Sequence, residues 1–201
     1  MQRILVWDLP TRLGHWLLAI SFAVAWLTGE SEQWRLVHAF AGGTMVGVVL
    51  FRLAWGFVGT THARFSDFVR GPTAAYRYLK SLLGPTPEHF TGHNPAGAWA
   101  IVLLLTLTLV TAIPGWLTYQ EIGGEWLEEA HEAAATLMLV VVMVHLAGVA
   151  VGSWVHRENL PRTMVTGIRL GAMSDAIANA RPFAAAVLIA CATAGAWLSS
   201  R

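Results

Sequence analysis

Apolar residues in this chain fall in long unbroken runs rather than in alternation or on one side of a helical wheel. The runs are Leu13–Gly29, Leu36–Gly59, Pro95–Leu117, about Ala130–Val155 and Pro182–Leu198, each near the ~20 residues that cross a bilayer as helix. The pattern predicts five transmembrane helices, with the last and shortest at the lower limit for spanning. Trp16, Trp26, Trp34, Trp116, Trp126, Trp154 and Trp197 sit near the run ends, as interfacial aromatics do. Between the second and third runs lies a long loop, Thr60–Asn94, in which Thr73–Leu83 is expected to form a surface helix ahead of Gly84, Pro85 and Pro87. The first run exceeds a typical signal-peptide core and no small-x-small cleavage motif follows it, so it is read as a span.

The polar positions between the runs carry an orientation. Arg3 and Arg12 precede the first helix, Arg64, Arg70, Arg77 and Lys80 lie between the second and third, and Arg157, Arg162, Arg169 and Arg181 lie between the fourth and fifth. The other two connections are acidic, with Glu30 and Glu32, then Glu121, Glu125, Glu128 and Glu129. The positive-inside rule therefore puts the N-terminus in the cytoplasm, and the C-terminus outside if the fifth helix spans.

Composition agrees. Of 201 residues 55 % are hydrophobic and 12 % charged, about half the charged share of a soluble protein. A net charge of +1 excludes a nucleic-acid partner, and membrane lipid is the surrounding solvent. The single cysteine, Cys191, excludes a disulfide framework and covalent C-x-x-C-H haem attachment. His131-Glu132 lacks the second histidine of an H-E-x-x-H protease.

Eight histidines are the unusual count in so apolar a chain, because ionisable groups inside spans are rare and functional. His15, His38, His131 and His145 lie in or at the ends of the spans. His131 and His145 are fourteen residues apart, hence ~40° apart around the helix and ~21 Å along it. They mark two levels on one face. Helix direction pairs His15 with His145 on the cytoplasmic side and His38 with His131 on the outer side. Two imidazoles from facing helices are what a six-coordinate b-type haem requires, so the expected cofactors are two haem b groups with iron held by histidine alone. Gly42, Gly43, Gly47 and Gly148 offer notches for a flat macrocycle, although Gly43 and Gly47 also form a G-x-x-x-G suited to helix packing. Arg52 shares the face of His38 and suits a haem propionate or a snorkelling position. His145 lies ~15 Å from its helix end and His15 only about a turn from its own, so tilt or a projecting fourth helix must absorb the difference.

The segments WDLPTRLGHW (Trp7–Trp16), FRLAWGFVGTTHARFSDFVRGP (Phe51–Pro72), GHNPAG (Gly92–Gly97) and HLAGVAVGSWVHRENLPRTMVTG (His145–Gly167) resemble the membrane cytochrome b subunit of nickel–iron hydrogenases, within the bacterial di-haem b-type cytochromes. The resemblance runs from about residue 4 to residue 170. It implies an all-α integral membrane protein: a four-helix di-haem bundle over residues 1–170, followed by residues 171–201 with the fifth helix. It further implies axial ligands matching His15, His38, His131 and His145, and electron transfer between an outer-face partner and the quinone pool. A quinone would sit against the turn His93-Asn94-Pro95-Ala96-Gly97, with Asn94 and Gly97 as partners, a turn that equally suits helix capping.

The resemblance implies a hydrogenase as the outer partner, whereas the short acidic outer connections suit a basic or haem-bearing partner such as a cytochrome c. Two other function classes use the same histidines. One is a self-sufficient oxidoreductase that oxidises a small species such as superoxide at the outer haem; the other is a haem-free proton or metal transporter. Turnover without a partner separates the first, and an absorption spectrum the second.

Overall fold

The computed structural model describes residues 2–201. A short strand β1 (Gln2–Leu5) leads into helices α1 (Leu9–Thr28) and α2 (Arg35–Val58). Two small helices, α3 (Phe65–Phe68) and α4 (Pro72–Ser81), fill the long loop before α5 (Pro95–Tyr119) and α6 (Glu125–Val155). The chain ends with α7 (Leu160–Thr166), strand β2 (Ile168–Gly171) and α8 (Pro182–Ser199). The helix starts are written in the sequence. Asp8, Asn94 and Asn159 each accept a backbone N–H three residues on, and each is followed by a proline in the first turn, where a missing N–H costs nothing.

Among the described residues four helices are long and apolar enough to cross a membrane: α2 with the turn before it, α5, α6 and α8. α1 has twenty residues, but Arg12, His15 and two tryptophans dilute it and it falls outside that set. Two ends extend past the apolar runs. α1 begins at Leu9 because Asp8 caps it, and α6 begins at Glu125, where acidic side chains suit the positive end of the helix dipole. With 31 residues, α6 is ~46 Å long, against a ~30 Å hydrocarbon core. The earlier start of α1 puts His15 six residues, ~9 Å, from its helix end, which narrows the depth difference from His145, ten residues or ~15 Å from Val155.

α1, α2, α5 and α6 meet at mid-depth around buried Met45, Leu107 and Met138, with Leu18, Phe22 and Val141 packed on them. Among the long helices α6 packs closely only on α5. α8 lies against α2, with a second contact to α1, around buried Val48, Leu188 and Ala192. Beside the helices of this all-α fold stands one small ribbon. β1 and β2 form an antiparallel ribbon with Ile4 opposite Arg169, joining the chain's start to the segment after α6. Backbone N–H groups of Val6 and Trp7 extend the ribbon by donating to Gly167 O at 2.9 and 3.1 Å. Under this ribbon Ile4, Val6 and Trp7 form a small buried cluster. It closes the arginine-rich end of the bundle; the glutamate-rich end is opposite.

Candidate functional site

The four intramembrane histidines meet in two pairs, one toward each end of the bundle. His15 of α1 faces His145 of α6 with ring centroids 6.5 Å apart, and His38 of α2 faces His131 of α6 at 5.8 Å. Met138 is seven residues from each α6 histidine, so the apolar plug at mid-depth separates the pairs. At the acidic end both rings are oriented by backbone: His38 Nδ1 donates to Ala25 O and His131 Nδ1 to Thr111 O, each at 2.9 Å. In a neutral ring that tautomer leaves Nε2 as the nitrogen with the free lone pair. Gly115 makes the second bond possible, since a Cβ there would overlap the His131 ring. At the basic end His15 Nδ1 is shielded and without a partner.

The glycines divide. Cβ atoms at Gly43 and Gly47 would run into Gly195, Ser199 and Cys191 of α8, whereas one at Gly42 or Gly148 would meet nothing within 4 Å. Gly43 and Gly47 therefore serve helix packing, and Gly42 and Gly148 border open space.

At the basic end Asp8 is 1 % exposed. It accepts from Thr11 N at 2.8 Å, Trp55 Nε1 at 3.0 Å and Thr60 Oγ1 at 2.6 Å, tying the start of α1 to the end of α2. Arg52 lies over the rings of Phe65 and Phe68, at 4.9 and 5.7 Å, and its shielded Nη1 has no partner. Asn94 and Gly97 are brought together as a cap, Gly97 N donating to Asn94 Oδ1 at 2.7 Å. His93, just before them, sits between Trp7 and Phe68 with ring centroids 4.5 and 4.6 Å away, and its shielded Nδ1 is unpartnered. Burial, reinforced by the positive charge of Arg52, pushes its pKa down to about 3, so the imidazole is neutral.

A model of one protein family, described as prokaryotic cytochrome b561, matches residues 6–167. The chain belongs to this family. Relatives named "Probable Ni/Fe-hydrogenase B-type cytochrome subunit" include one from Rhizobium leguminosarum bv. viciae, 26 % identical over 84 % of this chain and 90 % of its own length. Another, from Rhodobacter capsulatus, is 24 % identical over 83 % and 81 %; a third, from Azotobacter vinelandii, is 27 % identical over 83 % and 88 %. No solved structure matches. As a cytochrome b561 family member this is a multi-pass membrane protein whose family chemistry is electron transfer by haem b.

The side chains of this b561 cytochrome fit such a group. With metal–imidazole bonds of about 2.0–2.1 Å and ring centres ~1.1 Å beyond the nitrogens, two imidazoles on one metal have centroids ~6.3 Å apart, close to both observed pairs. Each pair presents two imidazoles, the number of positions a porphyrin leaves open on its iron. Asp8 and Gly115 were not singled out from sequence, although Asp-Leu-Pro is a helix-start signature and Pro114-Gly115 interrupts an apolar run.

Proposed function

We propose that this chain is a di-haem b-type cytochrome linking a redox partner at its acidic, outer end to quinone at its basic, cytoplasmic end. The observation that carries the reading is the pair of facing imidazoles at each end of the bundle, both completed from one face of α6. Haem b supplies one-electron redox chemistry when bound. His38 and His131 would hold the outer group, their Nδ1–H bonds to Ala25 O and Thr111 O fixing tautomer and ring direction. His15 and His145 would hold the cytoplasmic one. Gly42 and Gly148 leave room beside the ligands, and Arg52, with a shielded Nη1 in want of an acceptor, suits a propionate.

The basic loops support the cytoplasmic assignment. His93 beside the Asn94–Gly97 cap offers a neutral imidazole nitrogen to a quinol or quinone oxygen. The names of the relatives favour a hydrogenase over a cytochrome c as outer partner. The family match ends at Gly167, which supports a di-haem unit over residues 1–170 and an appended segment, residues 171–201, whose helix α8 packs on α2.

The test is spectroscopic. Purified, reduced protein should show the sharp α-band of low-spin haem b, with two haems per chain. His145→Ala should remove the cytoplasmic haem alone and His131→Ala the outer one alone. Two haems retained in both variants would overturn the pairing.

A further inference from the structure

We propose that Arg169, on the strand β2 just beyond the family match, is a positioning residue for the turn that carries His93. The inference rests on reading that turn as the quinone site. Arg169 is 7 % exposed, although it sits in a strand near the chain's basic surface. It does not point to solvent. Its Nη1 donates to Thr91 O at 2.9 Å and to Gly92 O at 3.1 Å, the two carbonyls immediately before His93. Its Nη2 is hydrogen-bonded to Glu158 Oε2, whose other oxygen accepts from His89 Nε2 at 3.0 Å. Burial alone would raise the Glu158 pKa; the bond and charge of Arg169 and the contact with His89 outweigh it and hold the carboxyl below its usual range. The guanidinium thus spans a fixed carboxylate and two carbonyls, a use of the planar fork that a point charge cannot reproduce.

The segment after β2 adds to the grip. Thr91 Oγ1 donates to Asp175 Oδ2 at 2.9 Å, and His62 Nε2 donates to Asp175 O at 2.8 Å. His62 in turn lies against Gly92, where a Cβ would come within 2.7 Å of Nδ1. On its far side the turn is fastened by the Asn94–Gly97 cap. Between these anchors the His93 ring is held with its shielded Nδ1 lacking a hydrogen-bond partner among the described residues. A site whose polar atom is offered to a ligand needs that atom held to a fraction of an ångström. Here the ribbon built from the two segments that flank the family match does the holding.

The experiment compares wild type, Arg169→Gln and Arg169→Lys as full chains loaded with haem, using reduction of the cytochrome by a short-chain ubiquinol. Arg169→Gln should raise the KM at least tenfold while kcat falls less than threefold and two haems per chain remain. Arg169→Lys should recover part of the affinity. A KM within twofold of wild type in Arg169→Gln overturns the proposal. If Arg169→Gln loses haem, Glu158→Gln, which keeps the guanidinium but removes its charged anchor, decides: a KM rise of threefold or more supports the proposal and an unchanged KM overturns it. Failure of the wild type itself to accept electrons from ubiquinol or menaquinol analogues would instead sink the quinone reading on which it rests.

Discussion

Gly115→Ala is the substitution most sharply constrained by the structure. An added Cβ would lie 2.6 Å from Cε1 of His131 and closer still to Nδ1, whereas ordinary carbon contacts begin near 3.5 Å. The ring must therefore retreat by about 1 Å, several times the ~0.2 Å tolerance of a metal–ligand bond. It cannot retreat while Nδ1 holds Thr111 O at 2.9 Å, so the bond breaks or the ligand atom is misplaced. Losing such an orienting bond weakens metal binding roughly 10–100-fold. Alanine is meanwhile the better helix former by about 1 kcal/mol, so helix stability does not fall on local grounds. The expected result is a folded protein that loses the acidic-end haem first. A pyridine haemochrome assay should give a haem-to-protein ratio moving from two toward one, and a redox titration should lose one of two components. Two haems with an unchanged α-band would refute the argument.

Gly42→Leu should fold normally, because nothing in the protein lies within 4 Å of its Cβ position, yet lower haem content if the macrocycle fills that space; unchanged content would place the cofactor elsewhere. Asp8→Ala removes an N-cap and leaves Trp55 Nε1 and the Thr60 hydroxyl without their acceptor, a loss of about 2–4 kcal/mol, read as a lower melting temperature in detergent than that of Asp67→Ala. His93 stays neutral in the folded protein down to about pH 3, whereas the unfolded chain takes up its proton near pH 6.5. Its contribution is therefore complete above pH 6.5 and declines as pH falls toward 3; Glu158, with its lowered pKa, adds a loss of the same sign at lower pH. Melting temperatures from pH 7 to pH 4 should drop more steeply in wild type than in His93→Leu, and parallel curves would contradict the assignment.

The bundle was legible because its signals are local and periodic. Apolar runs mark the long helices, and a fourteen-residue spacing on α6, with the alternating direction of successive long helices, is enough to say which histidines meet. The basic-end cap was not legible, for a physical reason. β1 and β2 have four residues each and are separated by most of the chain, so neither shows a pattern of its own and their pairing depends on the bundle bringing the start of α1 and the segment after α7 to the same end. Arg169 reads in the sequence as one of four arginines in a basic loop. Only the ribbon turns it inward. His93 and Asn94 illustrate the same limit at a single turn: the cap is encoded by Asn-Pro, but which neighbour keeps an unsatisfied nitrogen depends on Trp7 and Phe68 arriving from distant segments.

The glycines of α2 show how one stretch of helix serves two tasks at once. Gly42 and Gly43 are adjacent, so their faces diverge by ~100°. Gly43, with Gly47 four residues on, lets α8 approach until Gly195 and Cys191 touch the α2 backbone. In a bilayer this close packing replaces the hydrophobic driving force that water would supply. Gly42, one turn from His38, points into space that no protein atom fills. A bulky residue at Gly47 should therefore displace α8 while leaving the histidine pairs and haem content intact, whereas one at Gly42 should spare α8 and disturb the cofactor. Crosslinking between cysteines placed on α2 and α8, measured beside haem content in both variants, separates the two outcomes; joint loss of contact and haem in either variant would show that the two faces are coupled and that α8 belongs to the haem-binding unit.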